Sequence, residues 1–198
     1  MKIALLLSIC FICLSSIAQT IPIFESNGKE DKSNYSKLLK KWLSKFDESI
    51  LFTSDCYWPK SKSYLVLGYN GNKWSLIKFT QLYNSRNKTK NNIRRVRKKE
   101  IQIKNKSVDD LINYWRTSGF LMLNNDRINT KSIQFNDSTQ IEFSPSDGCN
   151  EIFRVRTKNA YREINCYLPI FMQEKIPIHE REIFINCRNM FLSIAELK

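Results

Sequence analysis

Short turns between strand-like segments constrain the fold of this chain most. Asn70-Gly71 separates residues 64–69 from residues 73–83, and this dipeptide suits a tight hairpin because both turn positions need a positive φ. Two further pairs of strand-like runs flank short turns, namely residues 131–135 with 139–143 and residues 151–157 with 161–167. Strands joined by such turns run antiparallel, so the pattern predicts a sheet built mainly from hairpins.

Three other segments have the spacing of amphipathic helices. The first follows a candidate N-cap at Ser33 and places one apolar face on Tyr35, Leu38, Leu39, Trp42, Leu43 and Phe46. The second is predicted to begin at Ser107 and end at Gly119, and the third to begin near Pro177. About three helices packed on a mainly antiparallel sheet indicate an α+β fold in a single domain over residues 19–198.

Two stretches have no clear period. Residues 50–58 are mixed in character, and residues 19–31 are polar and expected to form a loose N-terminal arm.

The first 18 residues are typical of a secretory signal peptide. Lys2 precedes an almost wholly apolar run at residues 3–14, and Ser16-Ile17-Ala18 supplies small residues before a cleavage site at Gln19. The apolar run is shorter than the roughly 20 residues that a membrane-spanning helix needs. We therefore expect an exported chain, periplasmic or secreted, without a transmembrane segment after cleavage.

Four cysteines remain after that cleavage. In an exported chain they are candidates for two disulfides. Cys166 on the last strand and Cys187 in the last helix are both assigned to the core, so they form one candidate pair and leave Cys56 with Cys149. Free buried thiols are the alternative. The spacings do not match a zinc site, and no metal or other cofactor is expected.

Positive charge is concentrated in one run. The chain has a net charge of +13, and residues 86–106 contain ten basic residues and one acidic residue. We expect a solvent-exposed basic loop there, with five candidate anion-binding residues at Arg94, Arg95, Arg97, Lys98 and Lys99. The run lacks aromatic residues for stacking on bases, so sequence-specific nucleic-acid binding is not expected. The alternative is a loop that is only solvated.

No residue pattern predicts a catalytic site. His179 is the single histidine and lies beside Glu180 and Glu182 in a predicted helix, which is typical of a surface position. Asp109-Asp110 is interpreted as an acidic helix start. The sequence favours a protein without catalytic residues but does not decide the question.

The C-terminal part carries a family resemblance. Ser146-Asp147-Gly148-Cys149, a hairpin with the turn Asn159-Ala160-Tyr161-Arg162, and Tyr167-Leu168-Pro169 precede a closing helix. This arrangement resembles small uncharacterised exported proteins of Bacteroidota-type bacteria. The resemblance implies export and no particular activity.

Three functional hypotheses follow from the sequence. The first is an exported noncatalytic domain that binds an envelope partner or an anionic surface through its basic run. The second is an exported hydrolase with an unrecognised active site, and the third is a secreted toxin or inhibitor.

Overall fold

The computed structural model describes residues 20–33, 35–56, 61–83, 93–136 and 139–196. The expected signal peptide at residues 1–18 and the start of the basic run at residues 86–92 lie outside these described residues. In chain order the elements are α1 (Lys37–Leu43), β1 (Glu48–Cys56), β2 (Ser61–Tyr69), β3 (Trp74–Tyr83), β4 (Ile93–Ile101), α2 (Asn105–Ser118), a 3-10 turn (Phe120–Met122), α3 (Asn125–Ile128), β5 (Ser132–Asn136), β6 (Thr139–Glu142), β7 (Cys149–Arg156), β8 (Tyr161–Tyr167), α4 (Pro169–Lys175) and α5 (His179–Glu196).

The six main strands form one sheet in the order β4-β3-β2-β1-β7-β8, while β5 and β6 form a separate ribbon. Every pairing is antiparallel. The predicted α+β fold with a mainly antiparallel sheet is therefore confirmed, as are the three hairpins. Helices α3 and α4 are additions that the sequence did not predict, and Pro169 starts α4 at a position where proline suits a helix.

The central strand β1 is one of the elements that sequence periodicity missed. It pairs with β2 on one side and with β7 on the other. Ile50 and Phe52 are buried on one face of the sheet, and Leu51 and Thr53 are buried on the other. A strand covered on both faces does not alternate between apolar and polar residues, so residues 50–58 looked mixed.

Helices cover both faces of the sheet. Helices α2 and α5 bring Trp115 and Phe184 against Phe153 of β7, within the larger buried cluster. Helix α1 packs Leu39 and Leu43 on the opposite face, within a second buried cluster.

Two helix starts differ from the prediction. The N-cap of α1 is Ser36, whose hydroxyl accepts a hydrogen bond from the Leu39 N–H at 3.1 Å, while Ser33 bonds to Asp31 instead. Helix α2 begins at Asn105, without a side-chain cap, so Asp109-Asp110 lies beyond its first turn. The interpretation of these acids as a helix start is therefore wrong.

The N-terminal arm is anchored, which corrects the expectation of a loose segment. Ile21 and Phe24 are buried in the larger core cluster, and the Ile21 N–H donates to the Glu48 carboxylate at 2.9 Å. Burial raises the pKa of Glu48 above its usual value. Isolated apolar residues fix this arm in place, so periodicity along the sequence could not reveal it.

Three asparagine side chains cover the outer edge of β8. Asn27 accepts from the Glu163 N–H at 2.9 Å and donates to the Glu163 carbonyl at 2.7 Å. Asn125 donates to the same carbonyl and accepts from the Asn165 N–H, and Asn129 donates to the Asn165 carbonyl. An asparagine amide offers a donor and an acceptor as a neighbouring strand would, so this sheet edge is closed.

Gly68 allows α1 and its following turn to approach β2. A Cβ at this position would overlap the ring of the buried Phe46. We expect Gly68→Ala to lower the free energy of unfolding by about 1–3 kcal/mol, measured by urea unfolding, because a large ring must shift inside a packed cluster. Gly28→Ala is the matched control, since nothing lies within 4 Å of the point that its new Cβ would occupy. Equal stability of the two variants would contradict the close approach.

Candidate anion-binding face

The described part of the basic run, residues 93–106, is mainly a strand and not a loop. Residues 93–101 are the edge strand β4, and residues 105 and 106 begin α2. The expected basic loop over residues 86–106 is therefore wrong for these residues. Lysine and arginine are common on edge strands because they remain solvated there and discourage pairing with other chains.

The register between β3 and β4 places three of the five candidate residues on one face. Arg95 lies opposite Leu82, Arg97 opposite Thr80, and Lys99 opposite Lys78. All three basic side chains are exposed.

Lys98 points to the opposite face of the sheet. Its ammonium lies 3.8 Å from the centroid of the Trp42 ring and forms an ion pair with Glu100. This pair lowers the pKa of Glu100.

The backbone of Arg94 lies in β4, and its side chain is outside the described part of the structure. The sequence therefore grouped residues that the sheet separates.

The face that carries Arg95, Arg97 and Lys99 is buried at one end and exposed at the other. Towards α2 and α5, Leu67 of β2 and Leu76 of β3 are buried in the larger core cluster. Beyond them polar side chains predominate, with Leu65 and Leu82 half-buried among them: Lys78 is exposed, and the hydroxyls of Ser63 and Thr80 lie 3.4 Å apart. We call this surface the open cationic face; its residues are Ser63, Lys78, Thr80, Arg95, Arg97 and Lys99.

The charges of the open cationic face are not compensated. Lys78 and Lys99 are direct cross-strand neighbours, an arrangement that is destabilising by about 0.2–1 kcal/mol. Among the described residues, none of the four cations forms an ion pair. On the same side of the sheet, Glu151 of β7 is separated from β2 by β1 and is already paired with Arg188 at 2.6 Å. The face therefore presents concentrated positive potential to solvent.

Its chemistry suits anionic groups. The guanidinium of an arginine can hold a carboxylate, phosphate or sulfate through two parallel hydrogen bonds, and the hydroxyls can donate further ones. The side chains of β1 to β4 that point to this side outside the core cluster include no aromatic residue. Among the described residues, this face therefore has no ring on which a base could stack.

Lys78 is the cation of this face that the sequence prediction left out. Alternation along residues 73–83 already placed it on one face with Trp74 and Leu76. What the sequence could not provide was the partner strand, because the basic run was interpreted as a loop.

The cysteine prediction is half correct. Cys56 and Cys149 form the predicted disulfide, which joins β1 to β7 at directly opposite positions. Cys166 and Cys187 are buried free thiols, so their predicted bond is wrong. The Cys187 thiol accepts a hydrogen bond from the Trp115 indole N–H, while Cys166 interacts with Arg181. Burial raises the pKa of Cys166 to about 12 and that of Cys187 well above its usual value.

His179 lies on the surface at the start of α5. Its side chain is 80% exposed, and its Nδ1 is 3.9 Å from the carboxylate of Glu182. In the described part of the chain it contacts no hydroxyl or thiol that it could activate, so the geometry gives no support to a histidine-dependent hydrolase.

Metal clusters and membrane-spanning helices are both absent from the described residues. No group of three or more His, Cys, Asp or Glu residues there could hold a metal ion. No described helix is long and apolar enough to span a membrane.

No protein-family model, curated protein or solved structure matches this chain.

Proposed function

We propose that this chain is an exported binding protein that attaches to an anionic partner or surface through its open cationic face. The observation that carries the proposal is the placement of Lys78 directly opposite Lys99, with Arg95 and Arg97 alongside. Like charges in such positions repel each other, and a bound anion would turn this repulsion into attraction.

Export is part of the same proposal. The signal-like residues 1–18 support it, and the Cys56–Cys149 disulfide is consistent with an oxidising compartment such as the periplasm or the exterior. The resemblance of the C-terminal part to small exported bacterial proteins agrees with this location.

The proposed ligand is recognised by charge and spacing. Carboxylate, phosphate and sulfate groups all fit the arginine and lysine side chains. Nothing on the open cationic face distinguishes one nucleobase from another, so a nucleic acid would be bound without sequence preference.

Replacement of four cations should test the proposal. We expect the combined change of Lys78, Arg95, Arg97 and Lys99 to Gln to weaken binding of residues 19–198 to immobilised heparin. At about 0.5 kcal/mol for each exposed ion pair, the four losses amount to roughly a 30-fold weaker affinity. Elution from a heparin column along a salt gradient measures the change.

The matched control removes the same charge elsewhere. Lys37, Lys40, Lys41 and Lys45 are exposed lysines on and after α1, and their change to Gln should leave most of the binding intact. If both quadruple variants elute at the same salt concentration, net charge alone governs retention and the proposed site is wrong.

A further inference from the structure

The two edges of the main sheet differ in how their backbone groups are satisfied. At β8, the side chains of Asn27, Asn125 and Asn129 occupy the outer edge. At β4, no other residue of the described chain forms a backbone hydrogen bond to the outer edge. Within the described residues, one edge of the sheet is therefore closed and the other has no backbone partner.

We infer that the outer edge of β4 accepts an extended acidic polypeptide segment as a seventh strand of the sheet. This inference rests on the proposed function and identifies the anionic partner as a protein segment. An added strand would satisfy the free backbone groups of β4 in the manner by which other sheets bind extended peptides.

The spacing of the cations matches such a strand. Arg95, Arg97 and Lys99 occupy alternate positions of β4. Side chains at alternate positions recur about every 6.7 Å along a strand, and every extended strand has the same repeat. Acidic residues at every second position of the added strand would therefore each lie about 5 Å across from one of these cations.

The opposite face of β4 indicates which residues fit the partner strand at the positions between its acidic residues. Val96 is half-buried against the smaller core cluster, and Lys98 lies over the Trp42 ring. Glu100 lies on this face too and already pairs with Lys98, so an acidic residue placed there would meet a carboxylate. Small or apolar side chains of the partner therefore fit beside Val96. The expected sequence pattern is an acidic residue alternating with an apolar one.

The charge of β4 also selects against a second copy of this chain. Two β4 edges pairing with each other would bring six or more cations together, which is strongly unfavourable. The same side chains thus oppose self-association and favour an acidic partner.

Binding of an alternating peptide tests this inference. The probe is the capped peptide acetyl-(Glu-Val)4-amide, and its control is the same peptide with every backbone nitrogen methylated. Methylation keeps all four carboxylates but removes the N–H donors that a strand needs. We expect the unmodified peptide to bind at least tenfold more tightly, measured by calorimetry, and the Lys78, Arg95, Arg97 and Lys99 to Gln variant to lose this binding.

Amide hydrogen exchange provides the second readout. The unmodified peptide should slow exchange of β4 amides and leave β8 amides unchanged, because only the open edge gains hydrogen bonds. Equal binding of both peptides, or binding without protection of β4, would overturn the added strand. Binding of heparin and of an oligothymidine strand is measured as well. These two ligands distinguish failure of the added strand from failure of the proposed function. If they bind through the four cations while the peptide does not, the ligand is a non-protein polyanion.

Discussion

Arg181→Met is expected to lower the free energy of unfolding by about 3–5 kcal/mol, because it removes a fully buried guanidinium. Arg181 is 0% exposed, and no carboxylate pairs with it among the described residues. Its nitrogens donate instead to four backbone carbonyls, those of Ile128, Thr130, Met172 and Ile176.

These carbonyls lie where three helices meet. Ile128 ends α3, while Met172 and Ile176 lie in α4 and directly after it. Carbonyl groups near helix C-termini carry partial negative charge and can accept further hydrogen bonds, so a cation is well placed there. The Met172 oxygen, for example, accepts from the Ile176 N–H and from Arg181. Burial lowers the pKa of Arg181, yet the four acceptors favour its charged form. Methionine fills similar space but leaves all four oxygens without this donor.

Urea unfolding of the mature chain measures the change. Arg127→Met is the control, because Arg127 is largely exposed, pairs only with Glu180 at 2.8 Å, and should contribute less than about 1 kcal/mol. Arg181→Lys should recover only a small part of the loss, since one ammonium cannot reach four carbonyls in the geometry of a guanidinium. A loss below about 1 kcal/mol for Arg181→Met, the size expected of an exposed pair, would contradict the stabilising role of this residue.

Local signals explain which elements were predictable. The hairpin at Asn70-Gly71 and the pair β7–β8 depend on turn residues and on alternation within about twenty residues. In contrast, β1 pairs with β7 across a long stretch of chain, and its burial on both faces follows only from that pairing. The sequence pointed to this pairing only through the predicted Cys56–Cys149 bond, which remained after Cys166 and Cys187 had been paired.

The same limit applies to individual side chains. Arg181 lies between Glu180 and Glu182, so the sequence pattern indicates a solvated helix position. It is buried because the ends of α3 and α4 meet there, which is a tertiary feature. Cys166 and Cys187 were correctly assigned to the core, but the contacts of their thiols with Arg181 and Trp115 depend on packing.

The candidate site was partly predictable for a related reason. Charge density alone identified Arg95, Arg97 and Lys99. Assigning Lys98 to the other face and adding Lys78 required the strand register, because successive side chains of a strand point to opposite faces.

Removing the Cys56–Cys149 disulfide should lower the free energy of unfolding by about as much as Arg181→Met does. We expect the double variant Cys56→Ser, Cys149→Ser to lose about 2–5 kcal/mol of unfolding free energy. The bond links positions 93 residues apart, so it restricts the unfolded chain strongly. It also joins β1 to β7, the long-range pairing at the centre of the sheet.

Reductant provides the matched control for this prediction. The wild-type chain unfolded in urea with dithiothreitol should have the same stability as the double variant, because both lack the Cys56–Cys149 bond. The double variant should not respond to dithiothreitol, since its remaining cysteines, Cys166 and Cys187, are free thiols. A loss of stability of the double variant on reduction would mean that Cys166 and Cys187 are bonded. In that case the thiol contacts with Trp115 and Arg181 would be wrong, because a bonded sulfur could not keep both of these positions.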